Sequence, residues 1–343
     1  MSIMIHETEK TVREYFDIWL KYYKYPNLKP TSYDVLERTL ENHIYPSLGS
    51  KLMTNVTSLD VRKLLNSMQA EGYSYSMKKK VYDALSACFK FAVIQFDLER
   101  SPMLMLAIDP PVKDEIEEIY VYSETEIKQI IRESTRTYRN GRCVYPNGAA
   151  FVLILHTGLR CGEVLGLKWS DYDSVKRSIK VRSDVEYIEE RTEELKKTGK
   201  QIAVRQNTPK SKSSIREIHL NNTANSIVRA LYEKQKKMNI ESEYILCTQN
   251  GNFVTPGSFR KTFGIIISHT NVQRAGIHAL RHTFATQMYY NGIEVKKISA
   301  ILGHSSVKIT YDTYIHLWKG ALDTATDALD ETFKLDDDFT VKP

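Results

Sequence analysis

The sequence predicts a mainly α-helical protein with one small antiparallel β-sheet, an α+β chain organised as two domains. Three observations carry that reading. Apolar residues recur at helical spacing over most of the chain, and only residues 171–220 switch to the alternation and β-branching of short strands. A length of 343 residues also exceeds what one hydrophobic core usually spans. With 42% apolar and 26% charged residues, the composition is that of a globular protein rather than a disordered one.

Residues 1–10 read as a tail and 11–108 as an all-helical domain. "TVREYFDIWLKYY" sets Val12, Phe16 with Tyr15, Trp19 and Tyr23 on one stripe. "TSYDVLERTLENHIYPSLG" offers Thr31 or Ser32 as a cap and stops at Pro46 and Gly49. "TSLDVRKLLNSMQAEG", ending at Gly72, and "SYSMKKKVYDALSACFKFAVIQFDL" complete four helices. The stretch 109–122, "DPPVKDEIEEIYVY", breaks the periodicity at Pro110 and Pro111 and reads as a linker. A second domain, 123–320, opens with the capping pattern of Ser123 and Glu126. "AAFVLILHTGLRCGEVLGLKW" then supplies a buried helix, a turn at Thr157 and Gly158, and another helix. "SIKVRSDVEYI", "KQIAVRQN" and "IREIHL" read as a three-stranded antiparallel sheet, with "EERTEELKKTGK" as a solvated loop between strands. Helices resume near residue 222, and 321–343 form a final helix and acidic tail in which Ala321, Ala325, Leu329 and Phe333 share a stripe.

Charge and cysteine usage narrow the class. The net charge is +6, but seven acids and two bases fall in 321–343, leaving about +11 on residues 1–320, an excess that suits a polyanion. Cys88, Cys143, Cys161 and Cys247 make neither a CxxC pair nor a zinc spacing, as expected of reduced thiols in a cytosolic protein. No secretion signal opens the chain and no apolar run approaches a membrane span, so a cytoplasmic protein without membrane contact is expected.

The chemistry collects in four places. In "HALRHTFATQ", His278, Arg281 and His282 share the side of a helix opposite Leu280, Phe284 and Met288. In "TGLRCGE", Glu163 lies three residues beyond Arg160, where a carboxylate can orient the guanidinium. "TPKSKSSIREIHL" puts Lys210 and Lys212 in a polar turn, and "LGHSSVKITYDTYIH" adds His304, Tyr311 and Tyr314. Each alone fits a plain structural role: an ion pair, a solvated lysine, a core aromatic. Jointly they match phosphoryl transfer, which needs cations on non-bridging oxygens, groups to move protons, and a nucleophile. A phenol with a pKa of roughly 10 needs a cationic pocket or a base before it can attack.

In their order these motifs resemble the tyrosine recombinase (phage integrase) family over most of the chain. "HTGLRCGEVLGLKWSD", "TPKSKSSIREIHL", "GIHALRHTFATQMYYNG", "KKISAILGHSS" and "TYDTYIH" carry the likeness, nearest in character to integrases of conjugative transposons and temperate phages. The resemblance implies a two-domain C-shaped clamp on double-stranded DNA, built from a helical core-binding domain and a tyrosine recombinase catalytic domain. It implies that Arg160 and Arg281 hold the scissile phosphate with Glu163 in support, that His278 assists proton transfer, that His304 hydrogen-bonds the phosphate, and that Lys210 protonates the leaving 5′ hydroxyl. Tyr314 would attack to give a 3′-phosphotyrosyl link, with no ATP, metal or other cofactor. Spacing alone leaves Tyr311 open as the nucleophile, and Lys212 as the lysine. Lys78, Lys79 and Lys80 are candidate phosphate contacts, together with Lys212. The resemblance further implies a homotetramer on two DNA sites, integration or excision of a mobile element in the bacterial nucleoid, and an excisionase or host DNA-bending protein as accessory. Relatives of this type often carry an arm-binding domain ahead of the clamp, whereas about ten residues precede the first helix here, which puts arm-site binding in question. Type IB topoisomerase or telomere-resolvase activity, or a non-catalytic DNA-binding role, remains open at this stage.

Overall fold

The computed structural model describes residues 9–104, 119–206, 215–273 and 275–314. The chain divides into two compact units, Met1–Glu117 with Tyr187–Ile202, and Glu118–Glu186 with Ala203–Pro343.

The first unit is built on helices α1 (Val12–Trp19), α2 (Pro30–Thr39), α3 (Tyr45–Leu48), α4 (Ser58–Ala70) and α5 (Tyr75–Ile94). Reciprocal capping boxes start α1 at Thr11 and Glu14 and α4 at Thr57 and Asp60, so the first backbone N–H groups are satisfied by side chains. Val12, Tyr15, Phe16 and Trp19 are buried, and Phe16 meets Phe89 of α5 edge-on at 5.7 Å. Tyr23 departs from the expected stripe. The helix widens into a π turn over Leu20–Lys24, and Tyr23 lies at the rim against Phe91. Helix α2 starts earlier than expected: Lys29 is its N-cap and Pro30 its first residue, the place where a missing N–H costs nothing.

The segment expected to be a solvated loop is instead a hairpin. Strand β3 (Asp184–Arg191) returns through a five-residue connection into β4 (Lys197–Gln206), and these two strands form a sheet of their own. Its tip belongs to the first unit. Arg191 donates to Asp34 Oδ1 at 2.6 Å and to Glu37 Oε2 at 2.7 Å, and its guanidinium lies 4.7 Å from the centroid of the Tyr33 ring. The Glu189 N–H donates to Asp34 Oδ2 at 2.7 Å, while Lys197 pairs with Glu37 and Glu41.

The second unit holds α6 (Glu124–Ser134), α7 (Ala149–Thr157), α8 (Cys161–Gly166), β1 (Tyr172–Asp173), β2 (Ser178–Val181), β5 (Arg216–His219), α9 (Asn222–Lys237), α10 (Pro256–Ser268), α11 (His278–Tyr290), α12 (Val295–Leu302) and α13 (Val307–Tyr314). The three-stranded sheet is antiparallel in the order β1-β2-β5, with Ile179 opposite Ile218 and Val181 opposite Arg216. The expected sheet thus exists in part: "SIKVRSDVEYI" divides between β2 and β3, "IREIHL" gives β5, "KQIAVRQN" pairs in the separate hairpin, and β1 takes the remaining edge. Helix α7 is apolar on nearly every side because α6, α8, α9 and α11 all pack around it. Phe151 of α7 stacks on Phe259 of α10 at 4.3 Å. A smaller cluster of Phe284, Ala285, Ile298, Leu302 and Tyr314 joins α11, α12 and α13. Among the described residues no helix is long and apolar enough to cross a membrane.

Two glycines allow the backbone to pass close to the future site. Gly158 ends α7 at φ +65°, and a Cβ there would stand 2.5 Å from the Phe284 ring. Gly303 ends α12 at φ +68°, and a Cβ would meet the Arg216 guanidinium at 2.8 Å. Gly158→Ala therefore combines a left-handed backbone with overpacking, and a loss of about 2–4 kcal/mol is expected in urea unfolding. A loss below about 1 kcal/mol would show that α7 and α11 separate freely there.

Candidate active site

Glu163 is the centre around which the site is assembled. Left at the tight turn between α7 and α8, Arg160 is the N-cap of α8, and its backbone N–H and Nη1 both donate to Glu163, each at 2.8 Å. From β5, Arg216 donates through Nη1 and Nη2 to the same carboxylate at 2.9 Å each, and its Nε donates to the Ile301 carbonyl. Arg281 of α11 brings Nη1 to 3.9 Å from Glu163 Oε2. Burial pushes the Glu163 carboxyl up, but the hydrogen bonds and charge of Arg216, with the charges of Arg160 and Arg281, outweigh it and hold the group at about 2.

Three guanidiniums on one carboxylate leave a positive surplus. Arg281 is buried and held by two carbonyls, Gly158 O and Leu302 O, at 2.7 Å each. Burial and then the charge of Arg160 lower its pKa to about 9, partly offset by Glu163. Arg160 keeps about a third of its side chain exposed, so this cationic centre opens to solvent on its side. The pair suits an anion with several oxygens, which planar guanidiniums bind in fork geometry.

Around these cations the imidazoles stay neutral at pH 7. His304 follows Gly303, and its Nε2 lies 3.1 Å from Arg281 Nη2, which can only donate, so Nδ1–H donates to Thr310 Oγ1 at 2.8 Å. Burial, then Arg281, Arg160 and Arg216, bring His304 down to about 4. Burial and the same two arginines, Arg281 and Arg160, also lower His278. On α13, Tyr314 is 1% exposed and Tyr311 is 45% exposed. Burial raises the Tyr314 phenol to about 12 against the opposing fields of Arg281 and Arg160. Its hydroxyl lies 2.9 Å from His282 Nδ1.

Arg160, Glu163, His278, Arg281, His304 and Tyr314, singled out in the sequence, thus belong to one cluster. Arg216 was missed. Its signal is visible in "IREIHL", where it shares the inward alternation of Ile218 and Leu220, an unusual place for an arginine without a carboxylate to meet. Lys210 and Lys212 lie outside the described residues, as do the final helix 321–343 and residues 109–118 of the linker. Of the helical lysines, Lys78 donates to Gln69 and Lys79 pairs with Asp83 on the surface of α5, and Lys80 is exposed. Among the described residues no three His, Cys, Asp or Glu side chains are grouped to hold a metal ion.

A family model described as the phage integrase family matches residues 114–320, the span that contains this cluster. The chain belongs to that family. A model of the phage integrase N-terminal SAM-like domain matches residues 11–69. Among relatives, a tyrosine recombinase XerC-like protein of Caldanaerobacter subterraneus subsp. tengcongensis is 28% identical over 340 residues, spanning 94% of this chain and 83% of the relative. Among solved structures, the Tn1549 transposon integrase bound to circular intermediate DNA has a TM-score of 0.73 at 21% identity, covering 93% of this chain and 99% of that one. Lambda integrase, as a tetramer bound to a Holliday junction, has a TM-score of 0.60 at 19% identity, covering 86% and 78%. Both likenesses are of fold. The chain is accordingly a member of the phage integrase (tyrosine recombinase) family by its matched residues 114–320, mainly helical with small antiparallel sheets.

Proposed function

We propose that the protein cleaves and rejoins duplex DNA at specific sites to integrate or excise a mobile element, with Tyr314 as the nucleophile. Arg160 and Arg281 hold the scissile phosphate, and Glu163 and Arg216 fix the arginines. Once Arg281 Nη2 turns to the phosphate, His304 carries its proton on Nε2 and donates it to a phosphate oxygen, with the Thr310 hydroxyl donating to Nδ1, and His278 assists proton transfer. Lys210 protonates the departing 5′ oxygen. The bond energy is kept as a 3′-phosphotyrosyl ester until another strand's 5′ hydroxyl attacks, so no nucleotide hydrolysis is needed. Affinity for the duplex comes mainly from phosphate contacts, with steep salt dependence and Lys78, Lys79, Lys80 and Lys212 as contributors. Four copies act on two duplexes in the bacterial nucleoid, an assembly supported by the lambda integrase tetramer, with an excisionase or DNA-bending protein directing the reaction.

The observation that carries this reading is the burial of the Tyr314 hydroxyl within the field of Arg281 and Arg160, while Tyr311, one turn back, faces outward. A randomised library of nicked duplexes tests it: the protein should yield SDS-resistant adducts whose DNA converges on a common site and whose peptide maps to Tyr314. Tyr311→Phe should retain the adduct and Tyr314→Phe should lose it. An adduct that survives in Tyr314→Phe, or no adduct from the native protein, overturns the proposal.

A further inference from the structure

The roles above leave one half-buried histidine of the cluster unused. His282 follows Arg281 directly on α11, and a helix turns about 100° per residue, so its ring points away from the guanidinium and toward α13. There its Nδ1 lies 2.9 Å from the Tyr314 hydroxyl, and the two rings meet edge-on at 5.5 Å. The other imidazoles are placed differently. His304 Nε2 accepts from Arg281 and its Nδ1–H is taken by Thr310, so both of its nitrogens are engaged. His278 stands one turn earlier on α11, 6.4 Å from His282 between ring centroids. A side chain that only filled the space beneath α13 would be expected to be apolar, like its neighbours Phe284, Ala285, Ile298 and Leu302.

Resting on the reading of Tyr314 as nucleophile, we infer that His282 is the general base of the reaction, taking the phenolic proton of Tyr314 on Nδ1 as the oxygen attacks phosphorus and returning it when the phenolate leaves. In cleavage the Tyr314 Oη–P bond forms, the P–O5′ bond breaks, the phenolic proton passes to His282 Nδ1, and the 5′ oxygen takes a proton from Lys210. In rejoining the incoming 5′ oxygen bonds to phosphorus and gives its proton to the lysine amine. The Oη–P bond then breaks, and the leaving oxygen recovers its proton from His282. Atoms and charge balance in both directions, and no further reactant is required.

The surroundings explain why such a base is needed and how it is restrained. A phenol held at about 12 is ionised in only about one molecule in 10⁵ at neutral pH, so prior ionisation is a costly route. Burial, then His278 and Arg281, keep His282 at about 4, neutral and ready to accept, but too weak a base to remove the proton from a resting phenol. The groups that set this balance are His278 and Arg281 on α11, Arg160 before α8 and His304 after α12. A phosphate seated on Arg281 and Arg160 offsets their charge and raises the basicity of His282. Proton removal is thereby tied to bound DNA.

The test measures single-turnover adduct formation on the duplex recovered by the library selection. His282→Asn keeps an acceptor near the position of Nδ1 but is no base. It should leave DNA binding unchanged, form adduct about 10²-fold more slowly near pH 7, and gain rate about tenfold per pH unit as the phenol ionises. A 5′-bridging phosphorothioate duplex, whose thiolate leaves without a proton, should not restore the Asn variant, whereas it should restore Lys210→Ala. Native rates in His282→Asn, or rescue of that variant by the sulfur leaving group, overturn the inference while the Tyr314 adduct stands. If the native protein forms no adduct at Tyr314, the functional reading falls and takes this role with it. Should His282→Asn fail to fold, the native protein on the phosphorothioate duplex decides: a rate flat between about pH 6 and 9 supports a base, and a rate climbing tenfold per unit overturns it.

Discussion

Glu163→Gln is expected to lower the unfolding free energy by about 3–5 kcal/mol, because the change removes one partner of a buried ionic network and leaves the others uncompensated. Glutamine has nearly the same shape, so the loss measures charge and not volume. With Arg216 7% exposed at the side chain and Arg281 4%, neither guanidinium can recover its hydration without opening β5 or α11 away from α8. The same residue sets an acid limit. Its folded pKa of about 2 lies below the ordinary 4.5, so its contribution is complete above about pH 4.5 and drains away as pH falls toward 2. The shift corresponds to about 3 kcal/mol. Urea unfolding of both proteins across that window checks the sign: the native protein should lose stability on acidification by that amount more than Glu163→Gln does. Parallel curves would mean that Glu163 is already protonated or unpaired. Adduct formation should fall with the loss of Arg160 and Arg281 positioning, even where the variant is folded.

Much of this site was legible because its members sit in local patterns with local reasons. Glu163 follows Arg160 at the spacing of one helical turn, and Ser123 with Glu126 is a cap readable from four letters. His278 and Arg281 group because a helix places i and i+3 together. What was not legible depends on partners far away in sequence. Arg216 makes sense only once Glu163, 53 residues earlier, is placed opposite β5. The different burial of Tyr311 and Tyr314 comes from what α11 and α12 put beneath α13, which a spacing of three cannot report. "EERTEELKKTGK" looked like a solvated loop because nearly every residue is polar. Its charges instead meet Asp34, Glu37 and Glu41 about 150 residues away, and that pairing replaces the apolar alternation by which strands are recognised.

That pairing leads to the second large effect. Arg191→Ala should destabilise the protein by about 3–5 kcal/mol, since it strands the carboxylates of Asp34 and Glu37 in a buried setting. Arg191 is 9% exposed at its side chain, Asp34 8% and Glu37 14%, so water cannot readily replace the lost partner. Lys197 remains near Glu37 at 3.0 Å and limits the damage on that side, while Asp34 loses its cation and keeps the hydrogen bond that it accepts from the neutral Glu189 N–H. Arg191→Lys should rescue little, because one ammonium cannot span both carboxylates or lie flat over Tyr33. If the pair acts as a unit, adding Asp34→Ala to Arg191→Ala should cost less than the two single losses combined, with a coupling of about 0.5–3 kcal/mol in a double-mutant cycle. The Glu189 amide provides a local readout of the same contact: its hydrogen exchange should quicken in Asp34→Ala, which deletes the acceptor, before global unfolding is reached. Strictly additive losses with unchanged exchange at Glu189 would mean that the hairpin tip is held by its own strand pairing, with the helical carboxylates as bystanders.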